Sequence, residues 1–181
     1  MTGADLLTYS RLLLGPLVFL LLVRGESLAA LWAAALLAGL GDLTDLLDGI
    51  VARRTGVSSD TGKVADPFTD SFFRLSVYLG LVVRAQLPAW MFLLLLYRDL
   101  SNAFLRQLAA LQGTALAARW SGKVKALLLA IASYVLIFDL MYGFATARVR
   151  WWGSLGVTLW AVGSGLDYLW ANRRALGARG A

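Results

Sequence analysis

Residues 41–74 read GDLTDLLDGIVARRTGVSSDTGKVADPFTDSFFR, and six of the chain's eleven acidic residues fall inside this stretch. It joins the end of one apolar segment to the start of the next. Carboxylates at membrane depth are costly and point to function. On helices, Asp45 and Asp48 are i,i+3 neighbours and Asp66 and Asp70 are i,i+4 neighbours, so each pair shares a face. Two antiparallel helices would then aim two carboxylate pairs at one point between them. Asp60, within VSSDTG, reads instead as a solvated helix cap. Asp42, one turn before Asp45, is a candidate support for the pairs.

The rest of the chain explains why these charges stand out. Of its 181 residues 59% are hydrophobic and 15% are charged, against about 25% charged in an average soluble domain. The mean hydropathy is +0.69. Six apolar segments follow one another: Leu6–Val23, Leu28–Ile50, Asp66–Val83, Pro88–Leu111, Lys123–Tyr142 and Trp151–Trp170. Segments of about 20 residues cross a hydrocarbon core of roughly 30 Å. The connections are short, and neither a linker nor an internal repeat breaks the pattern. The expectation is therefore an all-α polytopic membrane protein, a six-transmembrane-helix bundle forming a single domain over residues 1–181. The N-terminus lacks a basic n-region and a small-residue cleavage site, so it reads as a retained first span.

Lys and Arg set the orientation. With the N-terminus inside, the inner ends hold Arg53, Arg54, Lys63, Arg119, Lys123, Lys125, Arg173, Arg174 and Arg179, and the outer ends only Arg24, Arg84, Arg148 and Arg150. Both termini are expected in the cytoplasm. Trp90, Trp151, Trp152 and Trp170 lie near span ends, as interfacial aromatics do. The net charge of +6 suits anionic lipid headgroups. The basic residues are scattered at segment ends and not gathered on one face, which argues against nucleic-acid binding.

Histidine and cysteine are both absent. That excludes disulfides, thiol chemistry, the Ser-His triad and every His-ligated metal site. Four carboxylates alone form an oxygen-only donor set, which suits a hard cation such as Mg²⁺, Mn²⁺ or Ca²⁺. Without a cation they would repel one another strongly in a low-dielectric site. A cation transporter would use such a cluster too, but it should show discontinuous spans and inverted repeats, which this sequence lacks.

The residues between the pairs are equally patterned. Asp45-x-x-Asp48-Gly49-x-x-Ala52-Arg53, eight residues, then Gly62-x-x-x-Asp66-x-x-x-Asp70 resembles the CDP-alcohol phosphotransferase signature at every defined position. Gly49, Ala52 and Gly62 remove bulk where a flat cytidine would approach the backbone, and Arg53 offers a planar fork of donors to a diphosphate. The resemblance implies that a hydroxyl of an acceptor alcohol attacks the phosphorus attached to the lipid and CMP leaves. It implies Asp45, Asp48 and Asp66 as the main metal ligands, and Asp70 as general base that also touches metal. The cofactor is then Mg²⁺ or Mn²⁺, as two ions. Family members are homodimers, and a homodimer is expected here.

The acceptor is read from residues 98–125, RDLSNAFLRQLAALQGTALAARWSGKVK. Arg98 and Arg106 stand about two turns apart on roughly one face, and Lys123 and Lys125 open the next segment. Cations gathered before an acidic metal centre suit an acceptor that carries its own phosphate. Lys123 and Lys125 also fit ordinary positive-inside residues, and the two arginines also fit internal partners of Asp99 or the aspartate cluster. The region resembles the phosphatidylglycerophosphate-synthase branch of the family through Arg98-Asp99, Arg106 and the run Trp120-Ser121-Gly122-Lys123-Val124-Lys125. The opening Leu7-Thr8-Tyr9-Ser10-Arg11 and Gly15-Pro16 resembles it too. Ala126 replaces the branch's usual Thr, and Ser71 its usual Lys. This implies CDP-diacylglycerol as donor and glycerol 3-phosphate as acceptor, with inositol phosphate or another polyol phosphate as the alternative. The site should face the cytoplasm from a bacterial inner membrane. Arg11, inside the first span, is expected near the diphosphate or a carboxylate. Asp139 and Asp167 read as interhelical or interface residues, to which the sequence gives no role.

Overall fold

The structure is a computed structural model that describes the backbone of residues 3–55, 60–111 and 120–177, and the side chains of residues 9–44, 68–109 and 120–173. The described residues form six α-helices and no strand: α1 Gly3–Arg24, α2 Leu28–Thr55, α3 Asp60–Val83, α4 Ala89–Leu111, α5 Trp120–Tyr142 and α6 Ala147–Gly177. Each matches one of the six expected apolar segments, α4 beginning one residue after Pro88. The helices outrun those segments where polar residues continue them. α2 carries on past Ile50 to Thr55, and α3 begins at Asp60, so the whole aspartate signature outside residues 56–59 stands on helical backbone.

Local chemistry fixes the helix ends. Ser27 caps α2, its Oγ accepting from Ala30 N at 3.2 Å, as N-cap serines do. α3 closes with bonds from Gln86 N to Leu81 O and from Ala85 N to Val82 O, both 2.9 Å. This is a Schellman ending, with Ala85 at φ 55 where glycine is usual. Gly143 takes the corresponding left-handed position after α5, at φ 62.

The chain divides into two compact units. The first comprises Met1–Gln86 and Ser133–Phe144, the second Leu87–Ala132 and Ala145–Ala181. In the first, α1 packs along both α2 and α3 around buried Val18, Leu22, Phe73, Val77, Leu81 and Ile137. Small residues let these helices approach: Ala34, Ala35 and Ala38 are buried on α2, while a Cβ at Gly80 would lie 2.9 Å from Leu22 Cδ1 and one at Gly15 3.1 Å from Ser76 Oγ. A Cβ at Gly41 would run into the Phe73 ring, so α2 and α3 meet through that glycine. Gly41→Val should overpack this contact and cost about 1–3 kcal/mol. Thermal unfolding in detergent checks it, and an unchanged midpoint would contradict the close approach. In the second unit α4 packs against α6, with Met91, Leu95, Ala109, Ala161 and Tyr168 buried.

Among the described residues, α5 alone is both long enough and apolar enough to cross a membrane by composition, and α2 adds a shorter apolar stretch over Leu28–Thr44. Several of the polar residues that interrupt the other helices are turned inward: Arg11, Thr69, Asp99, Asn102, Ser154, Thr158 and Ser164 are all buried. Large apolar side chains point out from every helix, among them Leu13, Leu36, Leu79, Leu93, Leu127 and Leu166.

Candidate functional site

Asp45, Asp48, Gly49, Ala52 and Arg53 stand on α2, and Gly62, Asp66 and Asp70 on α3. The side chain of Asp70 is described and half-buried. Those of Asp45, Asp48, Ala52, Arg53 and Asp66, and the surroundings of Gly49 and Gly62, lie outside the described residues. Among the described residues no three acidic side chains converge.

An ion pair fixes how the two helices are set. Arg74 Nη2 on α3 donates to Asp42 Oδ1 on α2 at 2.6 Å. The two residues lie almost equally far from the α2–α3 connection, so the helices run antiparallel. Continuing that register toward the connection brings Asp45 level with Asp70, and Asp48 level with Asp66, to within about 3 Å of helical rise. The other carboxylate oxygen, Oδ2, accepts from the Tyr134 hydroxyl of α5 at 2.8 Å. Asp42 is thus held from two helices, and it holds Arg74 one helical turn beyond Asp70. Spacing offered Asp42 as a candidate support for the aspartate pairs; its contacts here are Arg74 and Tyr134. Arg74 and Tyr134 left no local signal.

Arg11 is completely buried. Gly15 approaches Phe73 and Ser76, and Gly80 approaches Leu22, so α1 and α3 run side by side in the same direction. The same offset puts Arg11 level with Asp70 to within about one turn.

The second unit holds the cations expected to serve the acceptor. Arg98 Nη1 and Lys125 Nζ donate to the same oxygen, Asp99 Oδ1, at 2.7 and 3.0 Å. The Asp99 side chain is 6% exposed, so one carboxylate draws two cations into a largely dry position. Arg98 Nη2 donates to Ser164 Oγ of α6 at 3.0 Å. The Nε–H of Arg98 is buried and has no hydrogen-bond partner among the described residues. Arg106 is exposed, with its guanidinium carbon 5.5 Å from the centre of the Tyr168 ring. Lys123 is exposed. Ser121, just ahead of it, donates to Asp167 Oδ2 at 2.6 Å. Arg98, Ser101 and Asn102 give polar lining to an otherwise apolar cavity of about 200 Å³ between α4 and α6. Of the four expected cations, the structure brings Arg98 and Lys125 together, turns Arg106 to α6 and leaves Lys123 at the surface. The α6 partners were not legible, because each is paired across a long stretch of chain.

The sequence model described as CDP-alcohol phosphatidyltransferase matches residues 1–160. The chain belongs to this family. A Treponema pallidum relative, CDP-diacylglycerol–glycerol-3-phosphate 3-phosphatidyltransferase, is 38% identical over 110 residues, covering 60% of this chain and 51% of that protein. The chain thus spans about half of that relative's length. A Mycobacterium tuberculosis protein described as probable phosphatidylglycerophosphate synthase is 32% identical over 177 residues, covering 96% of this chain and 83% of its own. A Streptomyces coelicolor relative, cardiolipin synthase (CMP-forming), is 37% identical over 102 residues, 55% of this chain and 47% of its own. Members of the CDP-alcohol phosphatidyltransferase family generally use divalent metal ions. The donor set of this chain fits such an ion: four aspartates at matching levels of one helical hairpin, in a sequence with no histidine or cysteine.

Proposed function

We propose that this chain transfers the phosphatidyl group of CDP-diacylglycerol to glycerol 3-phosphate, giving phosphatidylglycerophosphate and CMP. The observation that carries the reading is the complete aspartate signature standing on the antiparallel α2–α3 hairpin, inside the region that matches the family. The Mycobacterium tuberculosis relative supports the acceptor, because its similarity covers 96% of the chain and so runs through the cation-bearing helices.

In this reading Asp45, Asp48, Asp66 and Asp70 hold Mg²⁺ or Mn²⁺, as two ions. Bound there, the ions neutralise charge on the pyrophosphate oxygens of the donor. Arg53 pairs with the diphosphate, while Gly49, Ala52 and Gly62 leave room for the cytidine. Arg98, Arg106, Lys123 and Lys125 meet the acceptor's phosphate, which is why a phosphorylated alcohol suits the site better than a free one. Asp70 removes the proton from the attacking hydroxyl as its oxygen bonds to the lipid-side phosphorus. The bond from that phosphorus to CMP breaks, and CMP leaves with the electron pair.

The chain acts as one domain over residues 1–181, a homodimer whose six helices all span a bacterial inner membrane. The length of every helix and the apolar side chains that each turns outward support this placement; apolar surface of that extent suits lipid better than water. The active site then faces the cytoplasm, with the lipid donor entering sideways and the acceptor arriving from solution.

The test is an acceptor panel: purified chain with CDP-diacylglycerol and Mn²⁺, offered glycerol 3-phosphate, inositol phosphate, free glycerol or phosphatidylglycerol, with the lipid products read by mass spectrometry. Phosphatidylglycerophosphate is the expected product. A product from inositol phosphate or phosphatidylglycerol alone would keep the aspartate site and overturn the acceptor.

A further inference from the structure

We propose that one turn of α6, Ser164–Tyr168, is the positioning element for the cations of the acceptor site and so controls how tightly the phosphorylated acceptor is held. This rests on the acceptor reading above. It concerns residues outside both the aspartate signature and the cation pattern.

Four positions within this turn bear on the proposed acceptor residues or on the segment that carries them. Ser164 Oγ accepts from Arg98 Nη2 at 3.0 Å and donates a hydrogen bond to Ala161 O at 2.7 Å. Its lone pair is therefore presented to the guanidinium in a fixed direction. Gly165 provides the space for Arg98: a Cβ there would lie 2.7 Å from Arg98 Cγ and 3.2 Å from its Nε. Asp167 Oδ2 accepts from Ser121 at 2.6 Å, which ties down the start of α5 from which Lys123 and Lys125 project. The Tyr168 ring lies under the Arg106 guanidinium, and Tyr168 itself is 5% exposed. Together with Asp99, which takes Arg98 and Lys125, the turn braces three of the four cations or the segment that carries them.

Bracing matters because long cationic side chains are otherwise free to occupy many rotamers. Ordering them when the acceptor arrives would subtract from its binding energy. A guanidinium already held at two of its nitrogens meets the incoming phosphate without that loss. Arg98 keeps one buried N–H without a hydrogen-bond partner among the described residues, a donor still to be used when the other two are engaged. The turn lies on α6, outside the aspartate signature of α2 and α3, so its removal should spare the donor substrate.

Full-length protein in lipid nanodiscs is assayed for CMP release, with glycerol 3-phosphate and CDP-diacylglycerol varied separately. Ser164→Ala and Gly165→Ala should each raise KM for glycerol 3-phosphate about ten-fold, the scale of one hydrogen bond to a charged group. KM for CDP-diacylglycerol and kcat should stay within about two-fold. Tyr168→Leu should act the same way, and Tyr168→Phe, which keeps the ring under Arg106, should restore KM to within about two-fold of wild type. Inhibition by inorganic phosphate, competitive with the acceptor, should weaken in step with KM.

Equal changes in both KM values would mean a general structural role and would overturn the proposal. So would unchanged acceptor KM in correctly folded variants, or Tyr168→Phe behaving like Tyr168→Leu with both substrates affected. If wild-type protein uses another phosphorylated acceptor, the same ratios are read for that one. A wild type that turns over no phosphorylated acceptor fails the earlier functional reading, whereas a working wild type with silent variants fails this inference alone.

Discussion

Asp70→Asn is expected to lower CMP release by about a hundred-fold or more, the scale of a lost general base, while leaving the protein folded. Asparagine has nearly the same shape as aspartate but neither takes up the hydroxyl proton nor supplies a full negative charge to a metal ion. The surroundings of Asp70 support the second half of the expectation. It is half-buried on α3, and Arg74, one turn on, has its own partner in Asp42 at 2.6 Å. Arg74 is therefore not stranded when Asp70 loses its charge. CMP release and the unfolding midpoint in detergent are measured side by side. Turnover within about two-fold of wild type would remove Asp70 from the mechanism.

The second large effect is on stability. Asp99→Ala leaves Arg98 and Lys125 without the oxygen they share. Their side chains are 13% and 11% exposed, too little for water to replace the carboxylate. Breaking a buried ion pair from one side typically costs about 3–5 kcal/mol. For a chain of this size that corresponds to a fall in Tm of about 10 °C. Removing all three charges is a different matter, because apolar replacements recover the desolvation cost. The triple variant Arg98→Met, Asp99→Leu, Lys125→Met should melt within a few degrees of wild type, about 1–2 kcal/mol, yet fail to saturate with glycerol 3-phosphate. If Asp99→Ala melts like wild type, the shared carboxylate is not a stability element. If the triple variant saturates normally, the two cations do not serve the acceptor.

What the sequence revealed and what it hid have a common physical origin. The six helices announce themselves because apolar runs are local, and the aspartate pairs because i,i+3 and i,i+4 spacing is local too. Arg11 was legible for the same reason, as a cation in the middle of an apolar segment, and it is fully buried. The ends of α2 and α3 were set too short, since a polar stretch that remains helical looks like a loop when only hydropathy is read. The distant partners in the braces were hidden. Arg74 finds Asp42 across 32 positions, Ser121 finds Asp167 across 46, Arg98 finds Ser164 across 66 and Tyr134 finds Asp42 across 92. No spacing rule spans such separations. Asp167 reads as an interhelical or interface residue, and the packing of the second unit pairs it with Ser121 of α5, whereas Ser164 carries no signal until it meets Arg98. Among the described residues only α5 is long and apolar enough to cross a membrane by composition, since helices such as α1 and α4 carry buried charges, Arg11 and Asp99.

The most direct measurement of the central claim is CMP release by purified wild-type protein with CDP-diacylglycerol, run with and without glycerol 3-phosphate and with and without Mg²⁺ or Mn²⁺. The account predicts CMP and phosphatidylglycerophosphate in equal amounts, only when acceptor and metal are both present, and abolished by a chelator. CMP released at the same rate without acceptor, or undiminished by the chelator, would contradict it.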